Sequence, residues 1–306
     1  MRAVLFHNPK SGKKGYGKDN ILAALKLADH SARYVSSKSE DFKAELEKPS
    51  ADFVVAAGGD GTVAKVIANL GDRKLPIGIL PLGTANNIAR SLDIGGEPQI
   101  LVESWRMERT RRLDIGRAEW PSGHTPFVEA FGLGLLPQMI LKADKKDKEE
   151  GAHNLKLGRQ LLRKIIKDAK QLDLDILVDG KKLDGQWIGV EVLNIPYTGP
   201  GLALAPKADF GDGFLELVCF EKAKRDELCE WVETPADAPP PAINRRGKMI
   251  TLKWRDAAHR IDDSAFKADG AEQVVTLLCD GEQVRILESR LTEHATAAPA
   301  KMEAAT

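Results

Sequence analysis

The sequence is poor in cysteine and contains no long apolar run. Its 306 residues include three cysteines, Cys219, Cys229 and Cys279, and their spacing fits no metal-binding motif. An odd number of cysteines favours a reducing compartment over a disulfide framework. No apolar run approaches the roughly 18 residues that a membrane-spanning helix needs, and the first residues predict a strand rather than a signal peptide. We therefore expect a soluble, cytoplasmic protein whose contact with a membrane is peripheral.

The chain also lacks an excess of charge of either sign. Lys and Arg together number 45, and Asp and Glu together also number 45. The positive excess with which many domains attract nucleic acid is therefore missing, and we expect no nucleic-acid partner. Two common nucleotide-binding loops, G-x-x-x-x-G-K-[ST] and G-x-G-x-x-G, are absent as well.

A glycine-rich segment at residues 57–63 follows the apolar run 53–56 and precedes an amphipathic segment at 63–70. This order predicts a strand, a tight loop and a helix. The glycines leave backbone N–H groups accessible to a polyphosphate at the start of the helix. Asp60, within the loop, offers the oxygen ligands that Mg²⁺ prefers. The alternative is a plain tight turn, because glycine adopts positive φ at little cost.

Two further segments have the same organisation. Residues 7–15 follow the apolar run 3–6, and residues 81–87 follow the run 77–80. In a parallel α/β sheet, loops of this kind lie together at the carboxyl ends of the strands, where ligands bind. Their repetition favours a nucleotide site over three unrelated turns.

The hydrophobic periodicity changes along the chain. Residues 1–116 alternate apolar strands with helical segments, which predicts an α/β domain with a parallel sheet covered on both faces. Residues 117–290 contain mostly short strands, which predicts a largely antiparallel β-sandwich. Residues 291–306 are rich in Ala, Thr and Pro, and we expect a disordered tail. The length suits two domains, whereas the oligomeric state cannot be read from the sequence.

The motifs resemble those of the diacylglycerol kinase catalytic family, which includes bacterial lipid kinases and the sphingosine and ceramide kinases. The matching segments are residues 8–12, 58–62, 81–87, 206–216 and 280–282. They occur in the family's order and span nearly the whole chain. The resemblance implies an NAD kinase- and phosphofructokinase-like first domain, an active site between two domains, and ATP and Mg²⁺ as cofactors. It also implies a lipid substrate that is met at a membrane surface.

By this resemblance the three glycine loops bind ATP. Backbone N–H groups of the second loop would bind the phosphates, helped by polar groups of the first and third loops. The predicted nucleotide-binding residues are Asn8, Pro9, Ser11, Gly12, Gly58, Gly59, Asp60, Gly61, Thr62, Gly83 and Thr84.

An alcohol acceptor needs a base that removes its proton. The resemblance implies that Glu282 is this base and that Asp280 supports it, and Asp60 is the competing candidate. The pair Asp280-Gly281 also predicts a hairpin turn between segments 274–279 and 284–287. The catalytic role and the hairpin turn are compatible if the tip of the hairpin presents its carboxylates to the cleft.

A second metal is implied for residues 209–214. They do not fit a calcium loop, because the required acidic spacing is missing. The resemblance implies a structural Mg²⁺ that is held by the carboxylate of Asp212 and by the backbone carbonyls of Asp209 and Phe214. The alternative is an ordinary turn.

Two departures from the family pattern keep other functions open. Ala64-Lys65 stands where many relatives have Asn-Glu, and Asn87 stands where Asp is usual. We predict a kinase of a diacylglycerol-like or sphingoid lipid. A kinase of a soluble acceptor and a silent nucleotide-binding protein are the alternatives. The basic, amphipathic residues 142–170 predict either a helix with its apolar stripe in the core or one that lies on an anionic membrane.

Overall fold

A computed structural model describes residues 1–12, 16–150, 155–235 and 239–289, without the side chains of residues 144–150 and Asp280. The predicted tail at 291–306 lies outside the described residues. The helices are α1 (Lys18–Leu27), α2 (Phe42–Glu47), α3 (Asp60–Asn69), α4 (Asn87–Ser91), α5 (Pro98–Ser104), α6 (Leu135–Glu150), α7 (Leu155–Asp168) and α8 (Arg225–Glu233), with a 3₁₀ turn at Lys222–Lys224.

The strands form one large sheet, one six-stranded sheet and a short two-stranded ladder. They are β1 (Arg2–His7), β2 (Ser31–Ser36), β3 (Phe53–Gly58), β4 (Pro76–Pro81), β5 (Thr110–Trp120), β6 (Gly123–Phe127), β7 (Ala130–Leu133), β8 (Asp173–Val178), β9 (Lys181–Lys182), β10 (Trp187–Leu193), β11 (Tyr197–Thr198), β12 (Leu202–Ala203), β13 (Leu215–Glu221), β14 (Ile243–Gly247), β15 (Met249–Arg255), β16 (His259–Ile261), β17 (Ser264–Phe266) and β18 (Glu272–Leu287).

The first four strands pair in parallel in the order β2-β1-β3-β4. Every residue of β3 is buried, as expected for a central parallel strand that is covered on both faces. Helices connect these strands, so the loops after β1, β3 and β4 all leave from the same edge of the sheet. The predicted α/β fold of this part is confirmed.

The second half of the chain is a sandwich. The six-stranded antiparallel sheet has the order β14-β13-β10-β7-β16-β17. One of its faces packs on the antiparallel strands of the large sheet, where Phe127, Trp187 and Trp254 are buried together. Helices α6, α7 and α8 cover its other face. The predicted β-sandwich is confirmed.

Strand β18 joins the two halves. It is antiparallel to β15 and β5 and then runs parallel to β4, so Val284 and Ile286 lie in the core of the α/β half. The expected hairpin at Asp280-Gly281 is wrong, because β18 continues through these residues and the register shifts there as a bulge. The pairing partners on either side outweigh the local preference of Asp-Gly for a turn.

Helix α7 faces the core with its apolar stripe. Leu162, Ile165 and Ile166 are buried, whereas Lys164 and Lys167 are exposed. Of the two alternatives for this basic segment, the structure supports the ordinary surface helix over residues 155–168. Across the described residues, no helix has both the length and the apolar content that crossing a membrane requires.

Candidate active site

The three glycine loops lie side by side. Leu82 N–H donates to Gly58 O at 2.8 Å, which joins the third loop to the second. A Cβ atom on Gly83 would lie 2.5 Å from the Cα of Gly59, so this contact requires glycine. The first loop is next to them, because Asn8 N–H donates to Ala57 O at 3.0 Å. The predicted convergence of the loops is therefore present.

The members of these loops differ in accessibility. Pro9, Gly12 and Thr84 are exposed, and Asn8 and Ser11 are half-buried. Thr62 is buried, and its N–H donates to Gly59 O at 2.9 Å inside the first turn of α3. The expectation that this N–H binds a phosphate is therefore corrected. Gly61 lies in the same first turn, where helix N–H groups have no partner within the helix.

Asp60 begins α3 and also contacts the start of α4. Its Oδ1 accepts a hydrogen bond from Ile88 N–H at 3.0 Å. Burial and the nearby charge of Glu129 raise the pKa of Asp60 to about 7, although backbone N–H donors act in the opposite direction. A carboxyl group with this pKa can exchange a proton near neutral pH.

The turn between β16 and β17 brings two more carboxylates to the site. Asp263 lies directly against Gly61, since a Cβ atom on Gly61 would be 1.8 Å from Oδ2 of Asp263. Asp263 is exposed, whereas the neighbouring Asp262 is buried. Sequence reasoning missed both residues. The signal in the sequence was weak, because the two flanking strands have only three residues each.

Asp262 organises the backbone that leads to Glu129. Its carboxylate accepts hydrogen bonds from the N–H groups of Val128, Glu129 and Ala130, the shortest at 2.7 Å. These contacts fix the backbone between β6 and β7. Burial, and then the charge of Glu129, raise the pKa of Asp262 to about 7.

A buried arginine balances part of this negative charge. Arg260 donates to Glu191 Oε2 at 2.7 Å and lies 3.3 Å from Glu129 Oε1. Glu129 also accepts from the hydroxyl of Thr198. Burial raises the pKa of Glu191 to about 7 despite the arginine. One guanidinium therefore contacts two buried carboxyl groups, those of Glu191 and Glu129.

Asn87 shows why an amide suits this position. Its Nδ2 donates to Gly199 O at 3.0 Å and approaches Glu129 Oε2 at 3.4 Å. An aspartate here would oppose the charges of Glu129 and Asp60 and would lose the donor. The second departure, Lys65, is exposed on the solvent side of α3.

The structure corrects the expectation for Glu282. Its Oε1 pairs with Nε of Arg73 at 2.9 Å, and the same guanidinium donates to Ala68 O at 2.9 Å at the C-terminal end of α3. Asp60 begins this helix, about 12 Å away along its axis. Glu282 therefore lies at the opposite edge of the sheet from the glycine loops. The side chain of Asp280 is outside the described residues.

The turn at residues 209–214 does not fit a metal. Asp212 accepts from Phe214 N–H at 3.0 Å and forms an ion pair with Arg246. Asp209 accepts from Gly211 N–H at 3.0 Å. A guanidinium thus occupies the carboxylate that the resemblance assigned to Mg²⁺, and the ordinary turn is supported. In the part of the chain that the structure describes, no three His, Cys, Asp or Glu side chains are grouped as a metal site.

Comparison with known families and sequences agrees with this architecture. Residues 2–118 match the family described as the diacylglycerol kinase catalytic domain. Residues 150–287 match the YegS C-terminal NAD kinase beta sandwich-like domain. A diacylglycerol kinase of Staphylococcus aureus (strain bovine RF122 / ET3-1) is 28% identical over 243 residues, covering 74% of this chain and 73% of that protein.

Solved structures share the fold. A diacylglycerol kinase from Bacillus anthracis superposes with a TM-score of 0.69 at 18% identity, covering 94% of this chain and 96% of that one. An NAD kinase from Archaeoglobus fulgidus in complex with ATP gives a TM-score of 0.54 at 16% identity, covering 95% and 94%. Together, the two family matches include the glycine loops and most of the sandwich. The chain therefore carries a match to a diacylglycerol kinase catalytic domain over residues 2–118, followed by a match to a YegS-type sandwich domain over residues 150–287.

Proposed function

We propose that this protein transfers the γ-phosphate of ATP to a hydroxyl group of a diacylglycerol-like or sphingoid lipid. The position of Asp60 is the observation that carries the proposal. Its carboxyl group lies at the start of both α3 and α4, next to the glycine loops. It also interacts with Glu129 of the sandwich half. The nucleotide and the acceptor would therefore meet at this residue.

The phosphates of ATP would bind at the start of α3. The N–H of Gly61 and the partial positive charge of the helix N-terminus both attract phosphate oxygens. Asn8, Ser11 and Thr84 would supply further polar groups from the neighbouring loops. Their half-buried or exposed positions leave them accessible to a nucleotide.

Asp60 would act as the base. The acceptor oxygen attacks the γ-phosphorus and its proton passes to the Asp60 carboxylate, while the bond from the γ-phosphorus to the bridging oxygen breaks and ADP leaves. A pKa of about 7 leaves a large fraction of Asp60 ionised at neutral pH, so it can accept a proton.

The residues around Gly61 fit the Mg²⁺ that accompanies ATP. In kinases this ion needs only one or two protein carboxylates, because phosphate oxygens and water complete its coordination. The exposed carboxylate of Asp263, which lies next to Gly61, would hold the ion, and this leaves Asp60 free to accept the proton. The ion would neutralise phosphate charge. The metal predicted at Asp212 is not part of this proposal.

The place that we propose for an acyl chain is an apolar pocket in the sandwich half. It lies next to the turn at Gly199. A Cβ atom on Gly199 would be 3.1 Å from Cδ2 of Leu136, and the carbonyl of Gly199 accepts a hydrogen bond from Nδ2 of Asn87. The cavity is about 10 Å³, the size of one water molecule, so its walls would have to separate before an acyl chain could enter. Its walls are formed by Leu135, Leu136, Leu162, Ile166, Leu202, Leu204, Phe220, Leu228, Trp231 and Val232.

The test is transfer of labelled γ-phosphate from ATP and Mg²⁺ to diacylglycerol, sphingosine and ceramide in mixed micelles, with NAD as a soluble acceptor. Asp60→Asn should lower transfer at least a hundredfold, as expected for loss of a general base. Glu282→Gln should keep at least half of the wild-type rate, because Glu282 lies beyond the far end of α3. Asp19→Asn, an exposed carboxylate of α1, is the control for removal of charge.

The same assay separates the alternatives. Transfer to NAD with none to any lipid would replace the lipid acceptor by a soluble one. ATP binding by calorimetry, without transfer to either kind of acceptor, would identify a silent nucleotide-binding protein. Full activity of Asp60→Asn would remove Asp60 from the role of base.

A further inference from the structure

Among the described residues, the acids buried where the two halves meet outnumber the buried cations. Glu129, Glu191 and Asp262 are each less than a tenth exposed, and Asp60 interacts with Glu129. Arg260 is the buried cation of this group and pairs with Glu191 and Glu129. One positive charge thus stands against four carboxyl groups. The surroundings of Glu129 become negative as these groups ionise, which favours a further cation.

Asn87 adds a hydrogen-bond acceptor to this acidic group. The residue is 2% exposed, and its amide oxygen Oδ1 has no hydrogen-bond partner among the residues that the structure describes. The orientation of the amide is fixed, because Nδ2 lies 3.0 Å from Gly199 O and 3.4 Å from Glu129 Oε2. Turning the amide over would place Oδ1 against two oxygens. A buried acceptor without a donor costs free energy that an N–H or O–H group of a ligand can recover.

The two carboxylates that a ligand can meet lie on either side of the start of α4. Ile88 N–H donates to Asp60 Oδ1 at 3.0 Å, and the side chain of the preceding residue, Asn87, approaches Glu129. Asp60 and Gly199 are half-buried, so the acidic group opens to solvent at these two residues. Gly199 also adjoins the apolar pocket described above. This arrangement suits an amphiphile whose polar end lies between the acids and whose chain points to the pocket.

The turn that carries Gly199 has a basic end and an acidic end. Arg90 and Arg159 donate to backbone carbonyls of residues 200–201, at 3.4 and 3.2 Å. Glu129 contacts the other end, where it accepts from the hydroxyl of Thr198. The acidic end is the one that interacts with the proposed base.

We propose that the acceptor is an amino alcohol, with its ammonium group bound by Glu129 and Asn87 Oδ1 and its hydroxyl group at Asp60. The inference rests on the lipid kinase activity proposed above and narrows the acceptor to the sphingoid class. An ammonium group has three N–H donors, which match the carboxylate of Glu129 and the amide oxygen of Asn87. A diacylglycerol has ester oxygens at this position, and these are acceptors that would face the acceptors of the protein. A site that bonds an N–H group discriminates strongly against an analogue without it.

The ammonium group would also act on the base. The hydroxyl proton still passes to Asp60, and the ammonium keeps its own protons. A positive charge close to Asp60 lowers the pKa of this residue from about 7, because it stabilises the carboxylate. Binding of the acceptor would thus increase the ionised fraction of the group that takes the proton.

Calorimetric titration of the full chain without nucleotide tests amine binding separately from catalysis. The probes are 2-aminooctan-1-ol and octane-1,2-diol, which differ only in the ammonium group, at pH 8, where most of Asp60 is ionised. The amino alcohol should bind at least tenfold more tightly than the diol. Glu129→Gln and Asn87→Ala should each reduce this preference at least fivefold. Glu230→Gln, which removes an exposed carboxylate of α8, should leave the preference within twofold.

Transfer of labelled γ-phosphate to sphingosine and to diacylglycerol in mixed micelles separates this inference from the proposed activity. Wild type should phosphorylate sphingosine faster, and Glu129→Gln should raise KM for sphingosine more than KM for diacylglycerol. Preferred binding of the amino alcohol without transfer to either lipid would support the amine site and refute the kinase activity. Transfer to diacylglycerol without any preference for the amino alcohol would support the kinase activity and overturn the amine site.

Three other results overturn the amine site. One is an unchanged preference in both Glu129→Gln and Asn87→Ala. Another is binding of octylamine, which has no hydroxyl, as tightly as the amino alcohol, since this would show attraction of any cation to the surface. The third is loss of amine binding in millimolar Mg²⁺, which would assign the acids to the metal. Thermal unfolding checks that the variants fold. If Glu129→Gln does not fold, Asn87→Ala and the wild-type comparison of amino alcohol with diol still test the site.

Discussion

Opposing influences act on the carboxyl group of Asp60. Burial and the charge of Glu129 raise its pKa, while the N–H groups at the start of α4 stabilise the ionised form. The outcome is a group that changes protonation near neutral pH. Glu129 lies in the other half of the molecule, so the packing of the two halves against each other contributes to the raised pKa of Asp60.

Activity should therefore fall as the pH drops below about 7, because only ionised Asp60 accepts a proton. Removing the charge of Glu129 with Glu129→Gln should lower the pKa of Asp60 and move the acid limb of kcat/KM to lower pH. The measurement is kcat/KM for the lipid acceptor between pH 5 and 9 in both proteins. An acid limb at the same pH in the variant would contradict the coupling.

Gly61 is restricted by its neighbour across the site. Gly61→Ala places a Cβ atom 1.8 Å from Asp263 Oδ2, so the turn must move, at a cost of about 1–3 kcal/mol. Gly95→Ala, with nothing within 4 Å of the new atom, is the matched control. Urea unfolding gives both free energies. The cost of Gly61→Ala should shrink in an Asp263→Ala background, and an equal cost there would show that the clash is not its cause.

The sequence pointed to Asp60 because three glycines surround it within five residues. It did not point to Asp263 or Glu129, because no local pattern marks them. Asp263 contacts Gly61 across about 200 residues of chain, and only the pairing of β16 with β7 sets that contact. Resemblance of a short Asp-Gly-Glu motif instead favoured Glu282, which has a structural ion pair.

At the scale of elements, the turn before β13 is stabilised by a side chain from β14. Arg246 pairs with Asp212 and Glu216 and lies 4.1 Å above the ring of Phe214. The positive charge is thus supplied by the chain itself. A metal would have to displace an arginine that is already bonded.

Arg246→Met should destabilise the protein by about 1 kcal/mol, the usual size of a partly exposed ion pair with a cation–π contact. Arg245→Met is the control, since the guanidinium of Arg245 bonds the neighbouring carbonyl of Asn244. Urea unfolding with and without EDTA measures both effects. A wild-type midpoint that falls in EDTA would restore the metal at this turn.

At the scale of the whole molecule, buried charge accumulates where the halves meet. Arg260→Met would leave Glu191 and Glu129 without their cation, at a cost of about 3–5 kcal/mol. The pKa of Glu191 is already raised to about 7 and would rise further. The folded variant would then bind more protons than the unfolded chain, so its stability should decrease as pH rises from 5 to 8.

The measurement is urea unfolding of Arg260→Met and wild type at pH 5 and pH 8. Arg255→Met, an exposed arginine beside Glu272, should change stability by less than about 0.5 kcal/mol at both values. A cost for Arg260→Met that is the same at both pH values would mean that the carboxyl groups do not take up protons.

The sequence by itself determined the α/β half, the sandwich and the three glycine loops, because these follow from periodicity and from glycine within short windows. The tertiary structure alone decided the rest of the site. Strand β18 returns to the α/β sheet, which carries Glu282 to the far edge, and the short β16–β17 turn brings Asp263 to Gly61. Distant pairing and the burial of opposite charges set these positions, and neither leaves a local pattern in the chain.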